Sequence, residues 1–580
     1  MKNYILKISF TLVFLTFWLH NTKGQTLNNY FVKESISLIT DRTLYIAGEQ
    51  IQFATYQFIN NYSKSNTIFG ISSVNTNKKL SNAISNIIYV EIITARGEKI
   101  AQGKYQSENS FCTGIIEIPK NILTGIYYIR AYTKSMRNNG PSSYCYYAIK
   151  IVNPFKLEIL TYKDLNIISK DSTTLNDTLN DQEIVTLSLN KNEYSAREIV
   201  TVLINEMKSA ENLIELLTLS VVPEFSMLNL PENQPIIDSS QQNQYYYPES
   251  NGISITGQLV DSKSGKTLPN SIINLSILGD CKDFMATRTD TTGSFHFKMP
   301  NFNGVRDIFI CSELMVDSKS TILIDNDFCQ ENVKIPTPCF QLTEMERKAA
   351  FNLVQNTQIA SHYNKKNYTD SSININKSFY NEPINKIVFD SYIQLPTMED
   401  YINELIPILK IKKSQGGTYF RIFSTESEME IYKPLVLLDL VAIDNPEKIL
   451  LLPPNSISHI EIVNAPYIKG DNTYGGIISI FSKKGDFAGI NLPSSGIFLD
   501  FNFLSNCTNN TLPQTLAKNQ PDIRNTLYWI PKINFNSNNS KEISFTTSDT
   551  PGKYIIVLKG ITNKGKIITF KKSFTVTSFR

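Results

Sequence analysis

The chain has little net charge, few histidines and no long apolar run beyond its N-terminus, and each shortage removes a class of function. Lys and Arg number 56 against 53 Asp and Glu, a formal charge of +3 over 580 residues. No basic stripe stands out, so the electrostatic footprint of a nucleic-acid binder is missing and no nucleic-acid partner is expected. After the first segment, nothing approaches the roughly 20 apolar residues that a membrane-crossing helix needs. Apart from His20, the histidines are His296, His362 and His459, and none has a partner at metal-ligand or triad spacing. A structural role is expected for each, with His296 on the solvent face between Phe295 and Phe297. The chain lacks a Gly-x-Ser-x-Gly elbow and a phosphate loop, and Gly416-Gly417 come without the lysine that a phosphate site wants. The seven cysteines match no zinc spacing. An enzyme is therefore not expected, and no catalytic, cofactor-binding or metal residue is assigned.

What is present points to export and to β structure. Lys2 and Lys7 precede a mostly apolar run from Ile8 to Leu19, and Thr22-Lys23-Gly24 follows. This is the pattern of a secretory signal peptide, residues 1–24, cut near Gly24. No Cys sits just after the cut, the first being Cys112, so a lipoprotein anchor is not supported. Export permits disulfides among Cys112, Cys145, Cys281, Cys311, Cys329, Cys339 and Cys507. Cys112 and Cys145 share a module and could pair, and small buried thiols are the equal alternative. At roughly 100 to 200 residues per domain, the length allows three to five domains.

The fold class expected is mainly β and multi-domain: tandem β-sandwiches plus a small α+β domain. Residues 28–154 alternate like a sandwich, closed by Asn153-Pro154. Residues 155–226 read as a second, smaller β module. Asp41-Arg42-Thr43-Leu44-Tyr45-Ile46-Ala47-Gly48-Glu49 echoes in Asn190-Lys191-Asn192-Glu193-Tyr194-Ser195-Ala196-Arg197-Glu198, with Tyr and Glu at the same offset. Residues 227–250 form a polar linker, in which Tyr245-Tyr246-Tyr247 could stack on a sugar or a partner but reads better as partly solvated. Tyr144 to Tyr147 reads as an edge strand. Residues 251–326 are β again, with turns at Ser262-Lys263-Ser264-Gly265 and Asp290-Thr291-Thr292-Gly293. In residues 340–395, Thr343-Glu344-Met345-Glu346 is a capping box opening a helix to about Ala360. A second helix is predicted over Met398–Lys410, stopping or kinking near Ile406 because Pro407 falls inside it. An α+β stretch covers 396–486, a linker 487–522, and strands 523–580. Asp439 and Asp444 flank a hairpin and read as turn residues, with a Ca²⁺ or acid–base pair as the alternative.

Four of these segments resemble known families. Thr40-Asp41-Arg42-Thr43-Leu44-Tyr45-Ile46-Ala47-Gly48-Glu49-Gln50-Ile51-Gln52-Phe53, with Leu123-Thr124-Gly125-Ile126-Tyr127-Tyr128 and Met136-Arg137-Asn138, resembles a macroglobulin domain. The thioester tetrad of that family is absent, since Ala47 stands where the Cys would be. Ile255-Thr256-Gly257-Gln258-Leu259-Val260-Asp261 and Thr289-Asp290-Thr291-Thr292-Gly293-Ser294-Phe295 are similar to the carboxypeptidase regulatory-like domain, a transthyretin-like sandwich without peptidase chemistry. Pro434-Leu435-Val436-Leu437-Leu438-Asp439, Ile457-Ser458-His459-Ile460-Glu461-Ile462-Val463 and Tyr474-Gly475-Gly476-Ile477-Ile478-Ser479-Ile480 are similar to the plug of TonB-dependent receptors. Asn525-Thr526-Leu527-Tyr528-Trp529-Ile530-Pro531 with Thr550-Pro551-Gly552-Lys553-Tyr554 resembles another macroglobulin-like segment. The order of modules resembles that of Bacteroidota plug-domain proteins.

A receptor barrel of 22 strands requires on the order of 220 strand residues. Only 95 residues (580 − 485) follow Gly485, so the plug-like domain is expected to have no channel of its own. The resemblances imply a non-catalytic, outer-membrane-associated binding or assembly factor. Its expected partner is an outer-membrane protein, a β-barrel from another chain, with membrane association through that partner. A component of TonB-dependent uptake and a macroglobulin-like protease inhibitor are the alternatives.

Overall fold

The computed structural model describes residues 33–60, 84–162, 185–206, 214–230, 234–236, 245–279, 282–313, 319–363, 379–380, 382–414, 417–423, 431–470, 472–505, 520–535, 540–563 and 565–578. The expected signal peptide, Cys281, Cys507 and Gly416 lie outside them. The architecture is mainly β and multi-domain. No described helix is long and apolar enough to cross a membrane.

The first sandwich holds eight strands: β1 (Lys33–Thr40), β2 (Leu44–Ile46), β3 (Gln50–Asn60), β4 (Ile87–Ile93), β5 (Lys99–Gln106), β6 (Phe111–Glu117), β7 (Gly125–Tyr132) and β8 (Cys145–Val152). One sheet runs β1-β3-β6 and the other β2-β8-β7-β4-β5, with β2 parallel to β8. Side chains alternate across a strand. Ile88, Val90 and Ile92 therefore fill the space between the sheets, while Tyr89, Glu91 and Ile93 point outward. Every residue of β4 is nonetheless buried, because the outer face of its sheet is covered by later parts of the chain. The expected edge at Tyr144–Tyr147 is half right. β2 flanks only Lys150–Val152 of β8, so the start of β8 has β7 alone as its neighbour.

A second sandwich begins with β9 (Val185–Leu189), β10 (Glu193–Ser195), β11 (Ile199–Glu206) and β12 (Ile214–Pro223), and the chain then leaves it. The excursion builds two units. In the first, β13 (Ser254–Asp261), β14 (Ile272–Ile277), β15 (Asp283–Arg288), β16 (Ser294–Lys298), β17 (Val305–Glu313) and β18 (Ser320–Ile324) form sheets β16-β13-β18 and β15-β14-β17. Helix α1 (Glu344–Tyr363) follows, capped as expected: the Glu346 N–H donates to Thr343 Oγ1 (3.2 Å) and the Thr343 N–H to Glu346 Oε2 (2.8 Å).

The α+β unit contains β19 (Asn385–Val388), α2 (Met398–Leu405), β20 (Leu409–Ser414), β21 (Gly417–Ile422), β22 (Leu435–Leu438), β23 (Val441–Ala442), α3 (Pro446–Leu450), β24 (Ile457–Val463), β25 (Tyr467–Lys469), β26 (Asn472–Tyr474) and β27 (Ile477–Ser482). Its main sheet runs β19-β24-β27-β22-β23. The helix predicted to Lys410 ends at Leu405, since Pro407 cannot continue it, and Leu409-Lys410 open a hairpin strand instead. β28 (Ile497–Asn502), in the segment read as linker 487–522, pairs antiparallel with β17 and completes the four-stranded sheet of the first inserted unit.

The chain then returns to the second sandwich with β29 (Tyr528–Ile530), β30 (Ser540–Thr546), β31 (Gly552–Thr562) and β32 (Ile567–Thr577). Its sheets are β9-β11-β30 and β10-β32-β31-β12-β29, with β10 parallel to β32. Strand for strand this is the connectivity of β1–β8. Residues 155–226 and 523–580, read as separate modules, are thus two halves of one sandwich, and the excursion enters between its fourth and fifth strands.

Candidate functional site

The echo noted in the sequence is a repeated hydrogen-bond motif. The Tyr45 hydroxyl donates to Asp41 Oδ1 (2.7 Å) and accepts from the Arg42 N–H (3.2 Å). Tyr194 donates to Asn190 Oδ1 (2.6 Å) and accepts from the Lys191 N–H (3.1 Å). Glu49 Oε2 takes the Ile46 N–H, and Glu198 Oε2 the Ser195 N–H, each at 2.7 Å. Later in each sandwich a tyrosine donates to the carbonyl four residues back, Tyr127 to Leu123 (2.8 Å) and Tyr554 to Thr550 (2.9 Å).

The two copies differ in what covers them. On the first, Thr526 Oγ1 donates to Asp41 Oδ2 (2.6 Å), while Asn525 Nδ2 (2.5 Å) and Thr357 Oγ1 (3.3 Å) donate to Glu49 Oε1. Ala349, Ala350 and Leu353 of α1 pack on Leu44 and Ile46. The counterparts of Leu44 and Ile46 are Glu193 and Ser195, both exposed. Only the first sandwich therefore offers the helix an apolar berth.

A second junction is ionic and buried. On the outer face of the first five-stranded sheet, Arg130 Nε and Nη2 reach Glu91 Oε2 at 2.8 and 2.5 Å, with both side chains inaccessible. Beside them, the Lys104 ammonium pairs with Asp327 and lies 4.0 Å from the Phe501 ring centroid. Burial pulls that ammonium below its ordinary pKa, and Asp327 opposes the shift. Lys134 Nζ donates to Ser254 Oγ (3.0 Å) and lies 3.7 Å from Glu249. Arg137 Nη2 donates to the Tyr246 hydroxyl (2.8 Å), and Arg137 stacks over that ring at 3.8 Å. Asn138 exchanges two hydrogen bonds with the Tyr246 backbone. The triplet Tyr245-Tyr246-Tyr247 is thus not uniformly solvated. Tyr246 is an anchor of the first sandwich on the segment that precedes the first inserted unit, and its two neighbours are exposed.

The other residues singled out in the sequence fall into structural roles. Asp439 has φ +46° at the tip of the β22–β23 hairpin. Its carboxylate accepts from the Ser482 N–H (2.8 Å), Ser482 Oγ (2.6 Å) and the Phe487 N–H (2.9 Å). Asp444 lies exposed beyond β23, and no group of three or more metal-ligating side chains occurs among the described residues. Gly417 starts β21 opposite Ser414. His296 and His362 are exposed. Cys112, Cys145, Cys311, Cys329 and Cys339 are thiols, so the Cys112–Cys145 bridge does not form. Cys112 and Cys145 sit on opposite sheets of the sandwich.

His459 belongs to a cluster that sequence spacing did not show, because its members lie on two adjacent strands and a preceding turn. Glu461 Oε1 accepts from Lys386 Nζ (2.9 Å) and lies 3.5 Å from His459 Nε2, while Tyr380 donates to Oε2 (2.7 Å). His459 stacks on Phe481 at 4.5 Å. The His459 hydrogen bond, then those of Lys386 and Tyr380, outweigh burial and hold the Glu461 carboxyl down at about 2. A carboxylate depressed in the folded state stabilises fully above its unfolded pKa and loses that contribution as pH falls through the folded value. Glu461 therefore stabilises the α+β unit above pH of about 4.5 and loses its effect towards about 2. Glu461→Gln is expected to lower the melting temperature of this unit at pH 7 and to make no difference near pH 2. An equal deficit at both pH values, read by circular dichroism, would exclude the ionic account.

The open surface of the α+β unit lies at its sheet edge. β19 ends the main sheet, so its outer side has no strand neighbour among the described residues. Ile384 just before it, Val388 at its end, and Tyr392 and Ile393 after it are all exposed, Ile393 to 88%. Apolar groups on an unpaired edge are a template for pairing with another chain.

No family model matches the chain, and no curated protein does. Among solved structures it is similar to a Salmonella alpha-2-macroglobulin reacted with methylamine, at 8% identity and a TM-score of 0.22, over 94% of this chain and 40% of that one. A native-conformation E. coli alpha-2-macroglobulin gives 9% identity and a TM-score of 0.22, over 95% and 40%. The Yersinia pseudotuberculosis adhesin InvE gives 10% and 0.12, over 50% and 58%. The chain spans about 40% of the length of these macroglobulins.

Proposed function

We propose that the chain is an exported, non-catalytic binding or assembly protein of the cell envelope. Its α+β, plug-like unit docks an outer-membrane partner, a β-barrel from another chain, and membrane association comes through that partner. The observation that carries this reading is the apolar edge at β19, which has no strand neighbour among the described residues. Strand addition at such an edge draws affinity from main-chain hydrogen bonds and specificity from alternate side chains. The closed second sandwich supports it further. Because β12 pairs with β29, the two ends of the excursion are clamped side by side, and the excursion is presented on a fixed base.

The test is a mild-detergent pull-down of the tagged full chain from its native envelope. A stoichiometric outer-membrane barrel is expected with the wild type and is lost with Ile384→Lys/Val388→Lys/Ile393→Asp, whose exposed positions leave the fold intact. Retention of the same barrel by that variant would sink the edge-docking account. A macroglobulin-like inhibitor is the second reading, favoured by the two sandwiches of identical connectivity. It requires an added protease to stay with the cleaved chain on gel filtration, which docking does not.

A further inference from the structure

A cleft of about 280 Å³ opens between α1 and the second sandwich. From the helix it is lined by Met345, Lys348 and Asn356, whose spacing puts them on one face of α1. From the sandwich it is lined by Phe225, in the turn after β12, and by Pro551 and Lys553 around the start of β31. Small-molecule pockets run from roughly 300 to 1,000 Å³ and favour seams between packed units. This one sits at the lower end and suits a compact ligand.

Most polar groups of the wall are already bonded to the protein. Thr550 Oγ1 donates to Asn356 Oδ1 (3.2 Å), and Asn356 Nδ2 donates to Asn525 Oδ1 (3.0 Å). The Tyr554 hydroxyl donates to the Thr550 carbonyl (2.9 Å), and Glu224 Oε1 accepts from Ser573 Oγ (3.2 Å). Lys348 and Lys553 differ. Both are exposed, and neither ammonium forms an ion pair or hydrogen bond among the described residues. Two open ammoniums against the single carboxylate of Glu224 favour an anion and oppose a cation. The seat beside them is apolar and uncovered: Phe225 is 38% exposed and Met345 57%. Covering such surface stabilises a ligand with an apolar body and does nothing for a bare inorganic anion. Lysine is a point charge on a flexible stem, so it adapts to a head group held over that seat.

We infer that this cleft binds a small monocarboxylate with an apolar body, its acid group at Lys348 and Lys553 and its body on Phe225 and Met345. The site lies outside the α+β unit, so this inference and docking at β19 stand or fall separately. The full chain is titrated with octanoate and 3-phenylpropionate, below micelle formation, under saturation-transfer difference NMR. Acetate supplies the charge without the body, 1-octanol the body without the charge, and octylammonium the body with the opposite charge. Saturable binding of at least one of the two acids is expected, tighter than that of any control. Lys348→Gln/Lys553→Gln, at two exposed positions, should weaken it by about tenfold in Kd and bring octanoate level with octanol. Met345→Asp, also at an exposed position, places a like charge in the seat and should weaken it at least as much. The inference is overturned if neither acid binds, if acetate, octanol or octylammonium binds as tightly, or if either variant keeps the wild-type Kd.

Discussion

Truncation after Asp522 is expected to unfold residues 185–223 while leaving the first sandwich intact. β12 sits between β29 and β31, β11 between β9 and β30, and β10 pairs with β32. The truncated chain keeps only the β9–β11 pair, and an isolated two-stranded ribbon is marginal in water. It also loses the apolar half of that core, with Tyr554, Ile556, Leu558, Phe574 and Val576 removed from against Val202, Leu217, Leu219 and Val221. The first sandwich loses Asn525 and Thr526 from its Asp41–Glu49 motif but keeps both of its sheets. Hydrogen exchange read by mass spectrometry separates the regions. Amides of β11 and β12 should exchange as an unfolded chain does, and those of β4 and β7 should keep their protection. Protected β11 and β12 in the truncated chain would mean that residues 155–226 form a module of their own.

That contrast marks where sequence reading succeeds and where it stops. Local chemistry was legible. The Tyr45 and Tyr194 motifs, the Thr343 capping box, the Asp290 turn and the stop before Pro407 are each set by residues within a few positions, and each formed. Pairing across long separations was not legible, because a strand's alternation states which face is apolar and not which strand lies beside it. Nothing within Ile214–Pro223 announces that its neighbours lie at Tyr528 and Gly552, or within Ile497–Asn502 that it belongs beside β17. The expected separation of residues 155–226 from 523–580 therefore failed on closure, since the strands of both segments share one sandwich. The same limit hid the ionic junction. Glu91, Lys104 and Arg130 occupy outward positions of their strands, where polar residues ordinarily face water, and only tertiary structure shows Asp327, Phe328 and Tyr246 lying over that face. The Tyr380–Lys386–His459–Glu461 cluster escaped for a related reason. Its four members are scattered over 81 positions (461 − 380) and meet only because β19 pairs with β24.

Removing either partner of the Glu91–Arg130 pair is expected to cost the first sandwich about 3–5 kcal/mol, the range for leaving one buried charge uncompensated. Both side chains are inaccessible, and they face each other directly across β4 and β7. Gln102 Nε2 donates to the remaining Glu91 oxygen at 2.6 Å, so Arg130→Ala strands a carboxylate with one neutral donor. Glu91→Ala strands a guanidinium whose Nη1 has no hydrogen-bond partner among the described residues. Replacing both, as Glu91→Leu/Arg130→Met, removes the desolvation penalty of each charge together with their attraction. Such apolar swaps are often neutral or stabilising by about 1–4 kcal/mol. The double variant should therefore recover most of what each single alanine loses. Hydrogen exchange in β4 and β7 supplies the scale, since each 1.4 kcal/mol is a factor of about ten in the opening equilibrium. The single variants should lose at least about a hundredfold in protection. Additive losses in the double variant would show that the two charges act on stability independently. In that case the pair is not what holds this face of the sandwich against the segments that cover it.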